Sequence, residues 1–190
     1  MPILAIEPDI YPANLLDLHD FNEFPPRDSG VAWWVLYTRA RQEKSLARDL
    51  LCREIRFYLP TVRRRLLVRG RAVQSHVPLL TGYLFVHCCN EDRVRALMTN
   101  RVAQVLPVQD SQQLYRDLLN IKRLIDSGTP LTVEAQLQAG QQVRVRSGAL
   151  QGLEGIVVRR KLATRLVVLI KMLQQGVSLE IDDYLLEPID

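Results

Sequence analysis

The sequence predicts an α+β protein, a sheet-and-helix sandwich followed by a small SH3-like β-barrel. Three observations carry this. Strand-like and helix-like stretches interleave between Trp33 and Ser127 without the regular alternation of a doubly wound sheet. Gly128-Thr129-Pro130 then halts the last helical stretch, and residues 128–140 read as a linker. Beyond it, Gln141–Asp190 is a succession of short strands of the kind that closes a small barrel.

The elements follow in order. Trp33–Arg39 is an apolar strand, and Ala40–Glu54 is an amphipathic helix with Leu46, Leu50 and Leu51 on its core-facing arc. Arg56–Leu59 is a short strand, and Thr61–Val77 is a Pro-bounded hairpin turning at Gly70. Gly82–Cys88 is a strand with Tyr83, Phe85 and His87 on one face and Leu84, Val86 and Cys88 on the other. Both faces are apolar, so the strand is either sandwiched or offers one face to a partner. A helix (Glu91–Thr99), a short strand (Val102–Leu106) and a further helix (Ser111–Ser127) complete the first domain, 33–127. The second, 141–190, has strands at Gln142–Arg146, Gly155–Arg160, Arg165–Ile170, Val177–Glu180 and Tyr184–Glu187. Gly148, Gly152 and Gly155 suit positive φ and close backbone approach where the barrel turns.

The segment before all this is different in kind. Met1–Gly30 holds five of the ten prolines and ends in FPPRDSG. It reads as a disordered tail or as an arm packed on the main domain. Tyr11, Leu15, Leu16, Leu18, Phe21 and Phe24 favour the arm, since disordered segments are usually poorer in large apolar groups. Charge separates the regions as well. Met1–Ala32 has one basic and six acidic residues, Trp33–Glu134 has 17 and nine, and Ala135–Asp190 has seven and six. The positive potential thus belongs to the middle domain, where nucleic acid is expected.

Several classes are set aside. No apolar run reaches the length of a membrane span, and the N-terminus lacks the basic start of a signal peptide, so a cytoplasmic protein is expected. Cys52, Cys88 and Cys89 suggest no disulfide, and with His19, His76 and His87 scattered, only His87 and Cys89 share a strand face; no metal or cofactor is expected. No phosphate-binding loop lies in Gly140–Gly155, His76 has no evident nucleophile beside it, and the acidic residues do not pair in a recognisable site, which points to a non-enzyme.

The stretch Val143–Val158, VRVRSGALQGLEGIVV, resembles a KOW element, a strand-loop-strand unit that ribosomal proteins also carry. Ahead of it stand AWWVLYTRARQEKSLARDLL (Ala32–Leu51) and FYLPTVRRRLLVRGRAVQSHVPLLTGYLFVHC (Phe57–Cys88). In that order they resemble the NusG family of transcription elongation factors, including its specialised RfaH-like antiterminator paralogues. The resemblance runs from about Trp33 to Asp190. It implies an antiparallel sheet flanked by helices, and a monomer that regulates pausing, antitermination or termination. The rival reading is a KOW-containing structural RNA-binding protein of the ribosome, whose surface should be basic throughout; here the barrel is near neutral and the N-terminus acidic.

By the resemblance, Tyr37, Leu80, Tyr83 and Phe85 would line an apolar depression that grips RNA polymerase. Leu80-Thr81 stand where relatives commonly have Phe-Pro. Arg39, Arg41 and Gln42 fall where RfaH-like relatives read non-template DNA. Arg41, Lys44 and Arg48 make a basic helical stripe, and Arg63, Arg64, Arg65, Arg69 and Arg71 line the hairpin, where arginine suits phosphate contact. In the barrel, Leu150, Leu153 and Leu173 occupy loop positions through which the family binds a small-subunit ribosomal protein or Rho, positions usually held by phenylalanine. Those leucines either form that contact surface or cap the barrel core.

Overall fold

The computed structural model describes residues 8–17, 30–68, 71–134, 140–160 and 163–189. They form two compact units, Met1–Ser111 and Gln112–Asp190. The first contains β1 (Ile10–Tyr11), β2 (Ala32–Thr38), α1 (Glu43–Cys52), β3 (Phe57–Tyr58), β4 (Thr61–Val68), β5 (Arg71–Pro78), β6 (Tyr83–Cys88), α2 (Asn90–Leu97) and β7 (Val102–Pro107).

Its main sheet runs β1-β3-β6-β2-β7, every pair antiparallel. β4 and β5 pair in a separate two-stranded ribbon. One face of the sheet, Leu36 with Leu84, Val86 and Cys88, packs into a core with Leu46, Ala47 and Leu50 of α1 and Ala96 of α2. The opposite face is buried too: Trp33, Val35, Phe85 and His87 are each less than a tenth exposed. Of the two readings of the Gly82–Cys88 stretch, the sandwiched one holds over most of its length.

α1 begins at Glu43 rather than Ala40. Arg41 adopts a left-handed φ of 59°, which breaks the helical path between β2 and α1. The arm reading holds for the described part of the N-terminal segment. Ile10 and Tyr11 pair with Tyr58 and Phe57, and the Leu59 N–H donates to Asp9 O at 2.6 Å. The Thr61 hydroxyl donates to an Asp9 carboxylate oxygen at 2.9 Å, and Leu15 and Leu16 are buried. Leu18, Phe21 and Phe24 lie outside the described residues.

The second unit takes in α3 (Ser111–Asp126) from Gln112 onward, a helix that the sequence reading put in the first domain. It continues with β8 (Thr132–Glu134), β9 (Gln141–Val145), β10 (Glu154–Arg160), β11 (Ala163–Ile170), β12 (Gln175–Glu180) and β13 (Leu186–Pro188). The sheet order is β13-β9-β10-β11-β12-β8, again antiparallel throughout. β8 falls in the stretch read as a linker. A buried polar knot joins it to the sheet: the Ser178 hydroxyl donates to Glu134 Oε1 at 2.7 Å and accepts from Arg165 Nε at 3.0 Å. Gly148 and Gly152 have φ of +89° and +78°, and a Cβ on Gly155 would meet Val167 O at 2.7 Å. These three glycines are therefore required by backbone geometry.

Candidate interaction surfaces

The antiparallel register of β2 and β6 sets Tyr37 directly opposite Tyr83 at one end of the sheet. Their ring centroids are 5.2 Å apart at 54°, a tilted aromatic pair. Tyr37 is 41% exposed, unusually open for a residue this large and apolar, and Tyr83 is half-buried. Leu80 and Phe85 do not join them at the surface. Both are essentially inaccessible, at 1% and 0%. Of the four residues expected to line a depression, only the aromatic pair reaches the surface, a correction that the burial of Leu80 and Phe85 requires.

The turn before Tyr83 shapes this end. Gly82 has φ of +85°, and a Cβ there would lie 2.8 Å from Tyr37 Cε2. Its carbonyl accepts from the Thr38 N–H at 2.7 Å, and its own N–H donates to Glu43 Oε1 at 2.8 Å. Glu43 was invisible to sequence reasoning, because an acid in the first turn of a helix is ordinary. Only the fold shows that it turns inward.

The basic residues are divided among several settings. Arg39 and Arg41, ahead of α1, and Arg48 on it are exposed, and Lys44 of α1 is half-buried. Gln42 is partly committed, since its Oε1 accepts from Arg101 Nη1. Arg101 also pairs with Asp49 at 2.6 Å, and its carbonyl accepts from the Arg39 N–H at 2.8 Å. It braces the strand-helix junction, and sequence reading missed it because it lies on the far side of α2. On β4, Arg63 and Arg64 are exposed and point to opposite faces of the ribbon. Arg63 Nε donates to His76 Nε2 at 3.3 Å. Arg65 and Arg71 take their places in the ladder opposite Gln74 and Val68. Arg69 lies outside the described residues.

The three leucines of the second unit separate clearly. Leu153 is fully buried and Leu150 nearly so, at 0% and 8% exposed. Their place as surface contacts is corrected to core, since the loop folds both inward. Leu173 and its neighbour Met172 are half-buried in a 3-10 turn at Lys171–Leu173. α3 reaches both loops. The Asp117 carboxylate accepts from the Lys171 N–H at 3.0 Å, and Arg123 Nη2 donates to Gln151 O at 2.6 Å. A cleft of about 770 Å³ beside Gly148 and Leu150 is edged by Ser147, Thr164, Asp182 and Asp183.

Two titratable groups at the end of β6, His87 and Cys88, are buried rather than poised. Burial, with the positive charge of Arg56, lowers the His87 imidazole to about 4. Burial, with the negative charge of Asp92, pushes the Cys88 thiol up to about 12, which removes its nucleophilic thiolate. Among the described residues, no three His, Cys, Asp or Glu side chains are grouped to hold a metal ion, and no helix is long and apolar enough to cross a membrane.

The sequence profile of the family described as transcription termination factor NusG matches residues 31–136, more than half of the chain. Among solved structures, the chain is similar to Thermotoga maritima NusG, in a study of domain interaction, at 18% identity over 84% of this chain and 98% of that one, with a TM-score of 0.45. It is also similar to a chain of the MjSpt4:Spt5 complex in conformation B, at 15% identity over 83% and 97%, with a TM-score of 0.24. At these scores the profile match, rather than the likeness of shape, carries the assignment. No curated protein matches the sequence.

Proposed function

The chain belongs to the NusG family, and from that premise we propose that its first unit binds RNA polymerase through Tyr37 and Tyr83 during transcription elongation. The observation that carries this reading is the tilted tyrosine pair. It stands at the surface, with Tyr37 exposed and Tyr83 half-buried. Aromatic anchors in that setting lose little freedom on binding and bury a large area.

Arg39, Arg41 and Arg48, which are exposed, and the half-buried Lys44 face upstream or non-template DNA. Arg63, Arg64, Arg65, Arg69 and Arg71 extend the phosphate contacts. The second unit recruits a further protein, a small-subunit ribosomal protein or Rho, with Leu173 as the partly exposed member of its apolar loops. The chain acts by binding and not by catalysis. To regulate pausing, antitermination or termination, it must hold the active polymerase conformation more tightly than the paused one, since equal affinity shifts no population.

The test is capture of polymerase by the full chain carrying Tyr37→Ala and Tyr83→Ala. Interface aromatics typically contribute 2 kcal/mol or more, so affinity should fall roughly thirtyfold or further. Capture at wild-type affinity by a folded double variant overturns the assignment.

A further inference from the structure

Glu43 is the first residue of α1, yet only 5% of it is exposed. A carboxylate at a helix start can remain in water while it interacts with the helix dipole, so its burial needs another cause. That cause is Gly82. Glu43 Oε1 receives the Gly82 N–H at 2.8 Å, and the Gly82 carbonyl receives the Thr38 N–H at 2.7 Å. One residue is thus gripped from the helix on one side and from the strand on the other. It is also the residue whose backbone abuts the Tyr37 ring, and it directly precedes Tyr83. Where Gly82 sits decides where both rings sit.

We propose that Glu43 is a positioning residue for the docking surface: its carboxylate fixes the Gly82 turn and so holds the two tyrosines at the separation that the polymerase recognises. This rests on the reading of Tyr37 and Tyr83 as the docking site. Glu43 itself touches no partner. Its effect passes through one hydrogen bond to one backbone amide.

Three variants of the full chain test it: Glu43→Gln keeps an oxygen acceptor at the same reach, Glu43→Asp keeps the charge but is one methylene too short, and Tyr83→Ala removes an anchor. Polymerase affinity is measured for each, alongside the Gly82 amide chemical shift and the ring-to-ring NOEs between Tyr37 and Tyr83. Glu43→Gln should bind within about twofold of wild type with the NOEs intact. Glu43→Asp should move the Gly82 amide, weaken the NOEs and lose about tenfold in affinity. Wild-type binding by Glu43→Asp with a displaced Gly82 amide overturns the proposal, as does an unmoved amide. Global unfolding of Glu43→Asp also overturns it, because the carboxylate is then a general fold determinant. Undiminished binding by Tyr83→Ala instead removes the docking reading on which the proposal stands, whatever the Gly82 amide does.

Discussion

Replacing Leu153 by alanine separates a core residue from a contact residue in the second unit. Leu153 is fully buried, and its backbone is held independently of its side chain: its N–H donates to Leu150 O at 3.0 Å and its carbonyl accepts from the Val145 N–H at 2.9 Å. The substitution therefore deletes apolar volume and leaves the loop's hydrogen bonds in place. Buried Leu→Ala changes cost about 2–5 kcal/mol, the spread reflecting how far the site collapses. A unit of this size has a total stability of about 4–12 kcal/mol, so a large share would be lost. For a domain of that length each kcal/mol moves Tm by about 4–8 °C, and the variant should melt at least about 8 °C below wild type. Leu173→Ala, at a half-buried position, should move it far less. Calorimetry of the full chain, with amide exchange in β9 and β10 identifying which unit opens, measures both. A Leu153→Ala protein that melts with wild type and loses only its partner would refute the burial argument.

Two further outcomes follow from charge. His87 has its affinity for protons lowered in the folded state to about 4, while an unfolded histidine titrates near 6.5. The unfolded chain therefore binds the extra proton, and the first unit should lose stability as pH falls from 6.5 to 4 and show no His87 contribution to the slope above 6.5; urea midpoints at pH 7.5 and pH 5 for wild type and His87→Gln would show this, and equal slopes would refute it. If Arg39, Arg41 and Lys44 touch phosphates, replacing all three by alanine should flatten log K against log salt by about 0.7–0.9 per lost contact; an unchanged slope in fluorescence anisotropy with single-stranded and duplex DNA would place the DNA elsewhere.

The strands of the first unit were legible because alternation survives burial. Trp33, Val35 and Tyr37 against Trp34, Leu36 and Thr38 mark a strand whatever covers either face. Depth was less legible. Phe85 and Tyr83 share a face and a residue class, yet only the one at the strand end reaches the surface. Loop leucines failed for a related reason, since periodicity is undefined in a turn and does not show that Leu150 and Leu153 fold inward. β8 was unreadable because three residues, Thr-Val-Glu, carry too little pattern. What places them is Glu134 meeting Ser178 and Arg165, partners more than thirty positions away. The start of α1 was misplaced by a single left-handed residue, Arg41, a conformation that no arginine advertises.

The short β1 strand makes the folded unit larger than the region of family likeness. The profile match begins at residue 31, whereas the sheet begins at Ile10. A fragment cut at the edge of the match would strip Leu15 and Leu16 from the molecule and leave the outer rim of β3, with the Leu59 amide, unpaired and facing solvent. A bare strand rim recruits whatever extended chain is nearest, including another copy of itself. Polymerase affinities measured on such a fragment would report self-association mixed with docking, so the natural piece for biochemistry starts ahead of Pro8.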